Sequence, residues 1–214
     1  NTTTLTIFLH VVEEVGGEPP SDYPEMDESA LSNLKSSFQS DRNKVNKSYL
    51  DFNPVTYYAS LAGLSGQNFI IELNRIISTN ISPASYGEVR FILEEADSVS
   101  TPWGTYLYGI YSSAKIVRYW DGGGTWSREH VWPNSKLGVS RVDNSDRNIA
   151  ADPHNLRAIN TSVNSTRSNR YFVDSVSSTN HTVGSNAYFP GDEHKGDVAR
   201  IMFYMYIRYY GILD

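Results

Sequence analysis

Cysteine is absent from this 214-residue chain, and histidine is scarce, with five in all. The absence of cysteine excludes disulfide bonds, thiolate nucleophiles and zinc sites built on cysteine. Long hydrophobic runs are also lacking, since "LTIFLHVV" and "IMFYMYI" fall well short of the roughly 20 residues that span a bilayer. We therefore expect no transmembrane helix. No basic start followed by an apolar stretch and a cleavage site opens the chain, so we expect that any export signal has been removed or never existed.

The composition is that of a soluble globular protein, with 39% hydrophobic and 20% charged residues. A chain of this length can bury one sizeable core, with or without a small addition. Acidic residues are concentrated at the start, because residues 1–53 contain nine of the 24 acidic side chains and four of the 18 basic ones. We therefore predict an acidic N-terminal extension or small subdomain at 1–53 and the main domain at 54–214.

Apolar residues recur at helical spacing in three long segments, which we predict to be core-facing helices. These segments are 65–78, 86–97 and 198–209. Gly211 is placed to end the last of them. A further helix, capped by Asp27, is predicted near the start of the chain, with its apolar side at Leu31, Leu34 and Phe38.

Strand-forming residues dominate "TYLYGIYS" and "AKIVRYW", which predict strands between about residues 105 and 120. A flexible "DGGG" turn leads into "WSREHVW", a further predicted strand that Pro133 ends. The polar stretch 134–151 is predicted to be a long loop, and long loops in compact domains are often functional. Helices and strands are mixed without a βαβ rhythm, which indicates an α+β fold.

The spacing after the long loop predicts another helix, beginning at Pro153 with Asp152 as its cap. Its apolar residues are Leu156, Ile159 and Val163. Such a helix places Asn160 and Asn164 on one face, four residues apart.

The pair Glu129 and His130, within "TWSREHVWPNS", is the strongest candidate for chemistry, because both side chains are costly to bury without partners. Adjacent strand residues face opposite sides, so the two can serve one site only where the strand bends or ends. Glu129 would bind a hard cation such as Mg²⁺, and His130 would act as a general base on water. Either Asn160 or Asn164 would supply a second oxygen ligand. The alternatives are a surface ion pair and a structural histidine.

The same region is locally basic, since residues 126–172 contain seven Arg or Lys side chains against four acidic ones. In an otherwise acidic chain, this balance suits a site for an anion such as phosphate. A single hard metal, one histidine base and nearby arginines fit a phosphodiester substrate. A solvated face with a few extra arginines is the plainer alternative.

Four motifs in order, "WSREHVWPNS", "ADPHNL", "NSTRSNRYF" and "EHKGDVARIMFYM", resemble the endonuclease I family of secreted and periplasmic bacterial nucleases. The resemblance covers roughly residues 55–211 and extends to the helices of the extracellular branch. It implies a ββα-metal, or His-Me finger, motif with small antiparallel strands. It further implies that His130 is the general base, that Glu129 and Asn164 hold Mg²⁺, or else Mn²⁺ or Ca²⁺, and that the products carry 5′-phosphates and 3′-hydroxyls.

Some positions depart from the family or cannot be matched to it. Ser127 stands where the family often has Asn, beside the site but not in a catalytic position. Four arginines are candidates for the phosphate contact, namely Arg141, Arg147, Arg167 and Arg200. Arg167 and Arg200 are favoured as members of the catalytic site because they lie inside matched motifs, although a structural salt bridge is the alternative for each.

Other histidines have plainer interpretations. Asp152 and His154 are expected to fix the start of a helix or the base histidine. A zinc hydrolase using His130, His154 and His194 is conceivable, but no short ligand spacing supports it.

Two functions from different classes remain open on the sequence. The first is a secreted, metal-dependent nuclease of DNA, or of both DNA and RNA, with little sequence preference, acting as a monomer. The second is an inactive surface or nucleic-acid-binding protein on the same scaffold. Retention of Glu129, His130 and Asn164 together favours the first.

Overall fold

The computed structural model describes residues 21–24, 29, 32–33 and 53–213. The helix predicted after Asp27 lies outside the described residues at Asp27, Leu31, Leu34 and Phe38. Within 53–213 the chain forms five α-helices and eight strands. The helices are α1 (Pro54–Tyr57), α2 (Gly66–Ser78), α3 (Tyr86–Ala96), α4 (Thr161–Arg167) and α5 (Lys195–Arg208). None of the helices in this part of the chain is long and apolar enough to cross a membrane.

The strands form three small sheets, which confirms an α+β fold. The first sheet is antiparallel and contains β1 (Ser98–Thr101), β2 (Gly104–Tyr108) and β3 (Lys115–Val117). The second is the antiparallel pair β4 (Trp126–His130) and β5 (Leu156–Asn160). The third contains β6 (Tyr171–Phe172), β7 (His181–Val183) and β8 (Ala187–Phe189), with β6 parallel to β8. The predicted strands around 105–120 and 126–132 and the three long helices are all confirmed.

The helix predicted from Pro153 is wrong. The chain makes a single 3₁₀ turn at Pro153–Asn155 and then continues as β5. Leu156, Ala158 and Ile159 are all completely buried, so both faces of this strand meet apolar partners. A strand buried on both faces shows no alternation of apolar and polar residues, and its spacing can match a helix by chance.

The strand pair β4–β5 lies between two apolar clusters. Trp126, Leu156 and Ala158 belong to the cluster that α3 covers with Val89 and Leu93. On the other side, Val131 and Ile159 join the cluster that α5 covers, for example with Ile201 and Met205. Burial of both faces fixes the register of β4 and β5, because a slip by one residue would exchange the two faces.

The long loop at 134–151, predicted from composition, is attached to the start of α3. Helix starts leave backbone N–H groups without intrahelical partners. In α3 the N–H of Tyr86 donates to the carbonyl of Asp146, and the N–H of Gly87 donates to the carbonyl of Asn144, each at 2.8 Å. Ser85 and Glu88 complete the start as a capping box. The loop is thus held against a helix that is itself fixed in the core.

A methyl group at position 87 should disturb this attachment. A Cβ there would lie 2.9 Å from the carbonyl oxygen of Asn144, so either α3 or the loop must shift. We expect Gly87→Ala to lower the free energy of unfolding by about 1–3 kcal/mol, although Gly→Ala within a helix ordinarily raises it. Chemical denaturation followed by circular dichroism measures the change.

The matched control is Gly196→Ala in the first turn of α5. The nearest atom to a Cβ at that position is Nη1 of Arg200, 3.4 Å away at the end of a flexible side chain. We expect Gly196→Ala to leave stability unchanged or slightly raised. Equal effects of the two substitutions on the free energy of unfolding would show that α3 and the loop can move apart at little energetic cost.

Candidate functional site

The junction of β4, α4 and the long loop encloses a polar cavity of about 1040 Å³ that is open to solvent. β4 pairs only with β5 in its sheet, so side chains from both of its faces can border a cavity beside its free edge. The sequence-predicted residues that line the cavity are Glu129, His130, Asn164 and Arg167. Arg141 and Ser127 line it as well. Of the residues proposed for the site, Arg147, Arg200 and Asn160 do not line the cavity.

His130 is held by a single hydrogen bond from its ring. Its Nε2 lies 2.8 Å from the carbonyl oxygen of Ala150, and a carbonyl only accepts, so Nε2 carries the proton. The ring stacks on Tyr86 with a centroid separation of 5.4 Å. Burial lowers the pKa of His130 to about 4, so the imidazole is neutral at pH 7. In this tautomer Nδ1 has a free lone pair and can accept a proton.

Glu129 is 2% exposed and has partners on one carboxylate oxygen. The hydroxyl of Tyr111 donates to Oε1 at 2.8 Å, and Nη1 of Arg167 lies 2.9 Å from the same oxygen. Oε2 takes part in no hydrogen bond within the described residues and is available to another ligand. Burial raises the pKa of Glu129 to about 7, against the opposite influence of Arg167 and Tyr111. A cation at Oε2 would favour the ionised carboxylate.

Asn164 lies on the second turn of α4, where its amide group faces the end of β4. Its Nδ2 donates to Oγ of Ser127 at 2.8 Å, which leaves its carbonyl oxygen, Oδ1, for another partner. Ser127, the residue that departs from the family, thus still accepts a hydrogen bond. Asn160 has a different role, because its side chain caps α4 by accepting from the N–H of Ser162 at 3.0 Å. It therefore does not share a helix face with Asn164.

The donor atoms available here suit a hard cation rather than zinc. Carboxylate and amide oxygens are ligands for Mg²⁺, Mn²⁺ or Ca²⁺. In the described part of the chain, no group of three or more His, Cys, Asp or Glu side chains could hold a metal ion. The zinc alternative with His130, His154 and His194 is therefore not assembled. His154 is 66% exposed, and His194 is buried, with its Nε2 2.9 Å from Oγ of Ser113.

Arg167 is a buried structural partner of the site. It is 1% exposed, and its Nη1 donates to the carbonyl of His130 at 2.7 Å while Nη2 donates to the carbonyl of Val131 at 2.6 Å. The same guanidinium pairs with Glu129. Arg167 therefore connects α4 to the end of β4, where Glu129 and His130 lie.

The other candidate arginines lie in different surroundings. Arg200 is exposed on α5, pairs with Asp197 and does not line the cavity. Arg147 pairs with Glu88 at 2.8 Å. Arg141 is exposed at the cavity wall and has no hydrogen bond or ion pair within the described residues. Arg141 lies in a loop without regular spacing or a motif, so the sequence could not distinguish it from the other candidate arginines.

Two tyrosines at the site were missed by the sequence analysis. Tyr111 reaches Glu129 from a backbone with a φ of +71°, a conformation that non-glycine residues rarely adopt and that sequence does not reveal. Tyr86, which stacks on His130, was counted as a core residue of α3. Asp152 is a structural residue, but it fixes neither an α-helix nor His130: it caps the 3₁₀ turn at Pro153–Asn155 by accepting from the N–H of His154 at 2.9 Å, and it accepts from the hydroxyl of Tyr204 at 3.0 Å.

These observations define an α+β protein with a polar, open cavity where a strand pair meets a short helix. Residues 65–213 match the family Endonuclease I, and the chain belongs to that family. It is 35% identical over 163 residues to an extracellular ribonuclease of Bacillus amyloliquefaciens, a match covering 73% of this chain and 54% of the relative. An extracellular ribonuclease of Bacillus subtilis (strain 168) is 34% identical over 165 residues, with the same coverage. The chain thus spans about half the length of these relatives. No solved structure matches it.

Removal of Arg167 should destabilise the fold. Arg167→Ala leaves the Glu129 carboxylate buried without its cation and takes two donors from the end of β4. We expect a loss of about 3–5 kcal/mol in the free energy of unfolding. Chemical denaturation at neutral pH without divalent ions measures it.

Arg200→Ala is the matched control, because its ion pair with Asp197 is exposed and spans one turn of helix. Such pairs contribute little, so we expect no measurable change. If Arg167→Ala proved as stable as Arg200→Ala, the buried pair would not be what joins α4 to β4.

Proposed function

We propose that this protein is a metal-dependent endonuclease that hydrolyses phosphodiester bonds of DNA and RNA with little sequence preference. The observation that carries the proposal is one open cavity whose lining includes a neutral imidazole and two oxygens, one carboxylate and one amide. Within the described residues, Nδ1 of the imidazole and both oxygens have no hydrogen-bond partner. Membership of the family supports nuclease activity. The names of the two relatives support RNA as a substrate and a location outside the cell. We take the protein to act as a monomer.

His130 is suited to remove a proton from the attacking water. The bond from Nε2 to the carbonyl of Ala150 fixes both the tautomer and the ring orientation, so Nδ1 is the basic atom. Burial keeps the ring unprotonated at neutral pH. A substrate phosphate beside the ring would stabilise the imidazolium and raise its pKa towards the working pH, which improves a general base.

Glu129 and Asn164 would hold the cation, through Oε2 and Oδ1. Both atoms belong to side chains whose other polar atom is engaged, by Arg167 and Tyr111 or by Ser127. Such outer partners fix the orientation of ligands and tune their affinity. When bound, Mg²⁺, or else Mn²⁺ or Ca²⁺, would neutralise charge on the phosphate and on the departing 3′ oxygen. The products would carry 5′-phosphates and 3′-hydroxyls.

Arg141 is the arginine best placed to contact substrate phosphate. It is exposed at the cavity wall and is not neutralised by a carboxylate of the described residues. Arginine can bind two phosphate oxygens at once through its planar guanidinium. Contacts of this kind read the backbone rather than the bases, which is why little sequence preference is expected.

Supercoiled plasmid and a single-stranded RNA test the proposal directly. The intact protein with Mg²⁺ should cleave both, EDTA should abolish cleavage, and His130→Ala should reduce kcat by about 10²–10⁴-fold because the general base is lost. His154→Ala is the control, since His154 is exposed and lies outside the cavity. If neither substrate were cleaved with Mg²⁺, Mn²⁺ or Ca²⁺, the nuclease proposal would fail, and binding of nucleic acid without cleavage would be measured next.

Ser127→Ala tests the metal site from its outer partner. Without the hydroxyl, the Asn164 amide loses its anchor and can turn Oδ1 away, so we expect the Mg²⁺ concentration for half-maximal cleavage to rise about 10–100-fold. Ser127→Asn retains a hydrogen-bond acceptor, so its Mg²⁺ concentration for half-maximal cleavage should stay near that of the wild type. Ser165→Ala, on the outside of the same helix, is the control. An unchanged Mg²⁺ midpoint in Ser127→Ala would count against Asn164 as a ligand.

A further inference from the structure

A second cavity, of about 500 Å³, adjoins the proposed catalytic cavity. Pro133 and Arg167 line both, so one bound chain could occupy the two together. Apolar side chains such as Leu137 and Phe172 line its interior. Its volume is in the range of cavities that hold small organic groups.

Two of the three cationic side chains of this second cavity, those other than Arg167, have no carboxylate partner in the described chain. Lys136 and Arg170 line it, no acidic residue is among its described lining residues, and neither cation pairs with a carboxylate in the described chain. Arg170 is nevertheless held in place, because its Nε donates to the carbonyl of Ser185 at 3.1 Å. On α5, by contrast, Lys195 pairs with Asp192 within one turn. Positive charge beside an apolar interior suits an anion attached to an apolar group.

Tyr171 adds an aromatic surface to the same cavity. It lies on β6, is 64% exposed, and its ring centroid is 3.8 Å from Nζ of Lys136. An exposed aromatic ring beside cations is the arrangement with which proteins bind single-stranded nucleic acid, by stacking on bases and by attraction to phosphates.

We infer that this cavity, which we call the base subsite, holds one unpaired nucleobase of the strand being cut. The inference rests on the proposed function and adds to it a preference for single-stranded over duplex nucleic acid. The base stacks on the face of the Tyr171 ring opposite Lys136, and the phosphate next to it lies near Lys136 and Arg170. A base within a duplex is stacked and paired on both sides and cannot enter a separate cavity without leaving the helix, so regular duplex gains nothing from the base subsite.

Steady-state cleavage of an oligonucleotide with one unmodified phosphodiester among phosphorothioates tests the base subsite. One nucleotide at a time beside that bond is made abasic, in DNA and in RNA. For the wild type we expect one abasic position to raise KM roughly tenfold with kcat little changed. Tyr171→Ala should raise KM for the complete substrate by a similar factor, and the same abasic position should then have no further effect.

Two variants separate stacking from charge. Tyr171→Phe keeps the ring and should behave as the wild type. Lys136→Gln should raise KM and flatten its dependence on salt, because one phosphate contact is lost. Tyr206→Ala is the control, since Tyr206 is also exposed but lines none of the cavities described. Thermal melting of each variant confirms that it is folded.

The base subsite would be overturned if KM of Tyr171→Ala and Lys136→Gln stayed within twofold of the wild type. It would also be overturned if the abasic substitution still raised the KM of Tyr171→Ala tenfold, because the base would then bind elsewhere. Neither result contradicts the nuclease proposal, provided that EDTA abolishes cleavage and His130→Ala strongly reduces it. Absence of cleavage by the intact protein would instead remove the proposed function itself.

Discussion

The buried ion pair between Arg167 and Glu129 is the interaction on which the site depends. A carboxylate that is 2% exposed is tolerated only with partners, and Arg167 supplies charge together with donors to the carbonyls of His130 and Val131. One guanidinium therefore sets the position of α4 relative to the end of β4. Asn164 lies one turn before Arg167 on the same helix, so the Arg167–Glu129 ion pair also determines the position of the Asn164 side-chain amide.

The strand pair provides the rigid support that this interaction requires. Five residues of β4 pair with five of β5, from Trp126 opposite Asn160 to His130 opposite Leu156, and apolar clusters cover both faces. His130 is the last residue of its strand, so its ring can meet the loop carbonyl of Ala150 while its backbone remains in the sheet. The polar residues of the site thus lie at the edge of the β4–β5 strand pair, which is otherwise packed between apolar clusters.

The main helices could be predicted from the sequence because periodic segments do not depend on distant contacts, whereas the grouping of Asn164 and Arg167 with Glu129 and His130 came from the resemblance to the family. The prediction failed at β5, where burial on both faces removed the alternation that marks a strand. The spacing could not choose between the two asparagines, and the geometry shows why they differ: Asn160 ends a strand and caps a helix. Contacts between distant segments, such as Tyr111 with Glu129, leave no local pattern to detect.

The polar groups of the site are only partly satisfied, and the pattern is consistent. Glu129, His130 and Asn164 each engage one polar atom with a partner from the fold and leave the other without one. The other atoms are accessible from the open cavity, since none of them is among the buried side-chain atoms that lack a partner in the described residues. Three neighbouring side chains, each with one fixed atom and one accessible atom, suit a ligand that enters the cavity. The fixed atoms hold each side chain in place before that ligand arrives, which reduces the reorganisation needed for binding and for charge stabilisation.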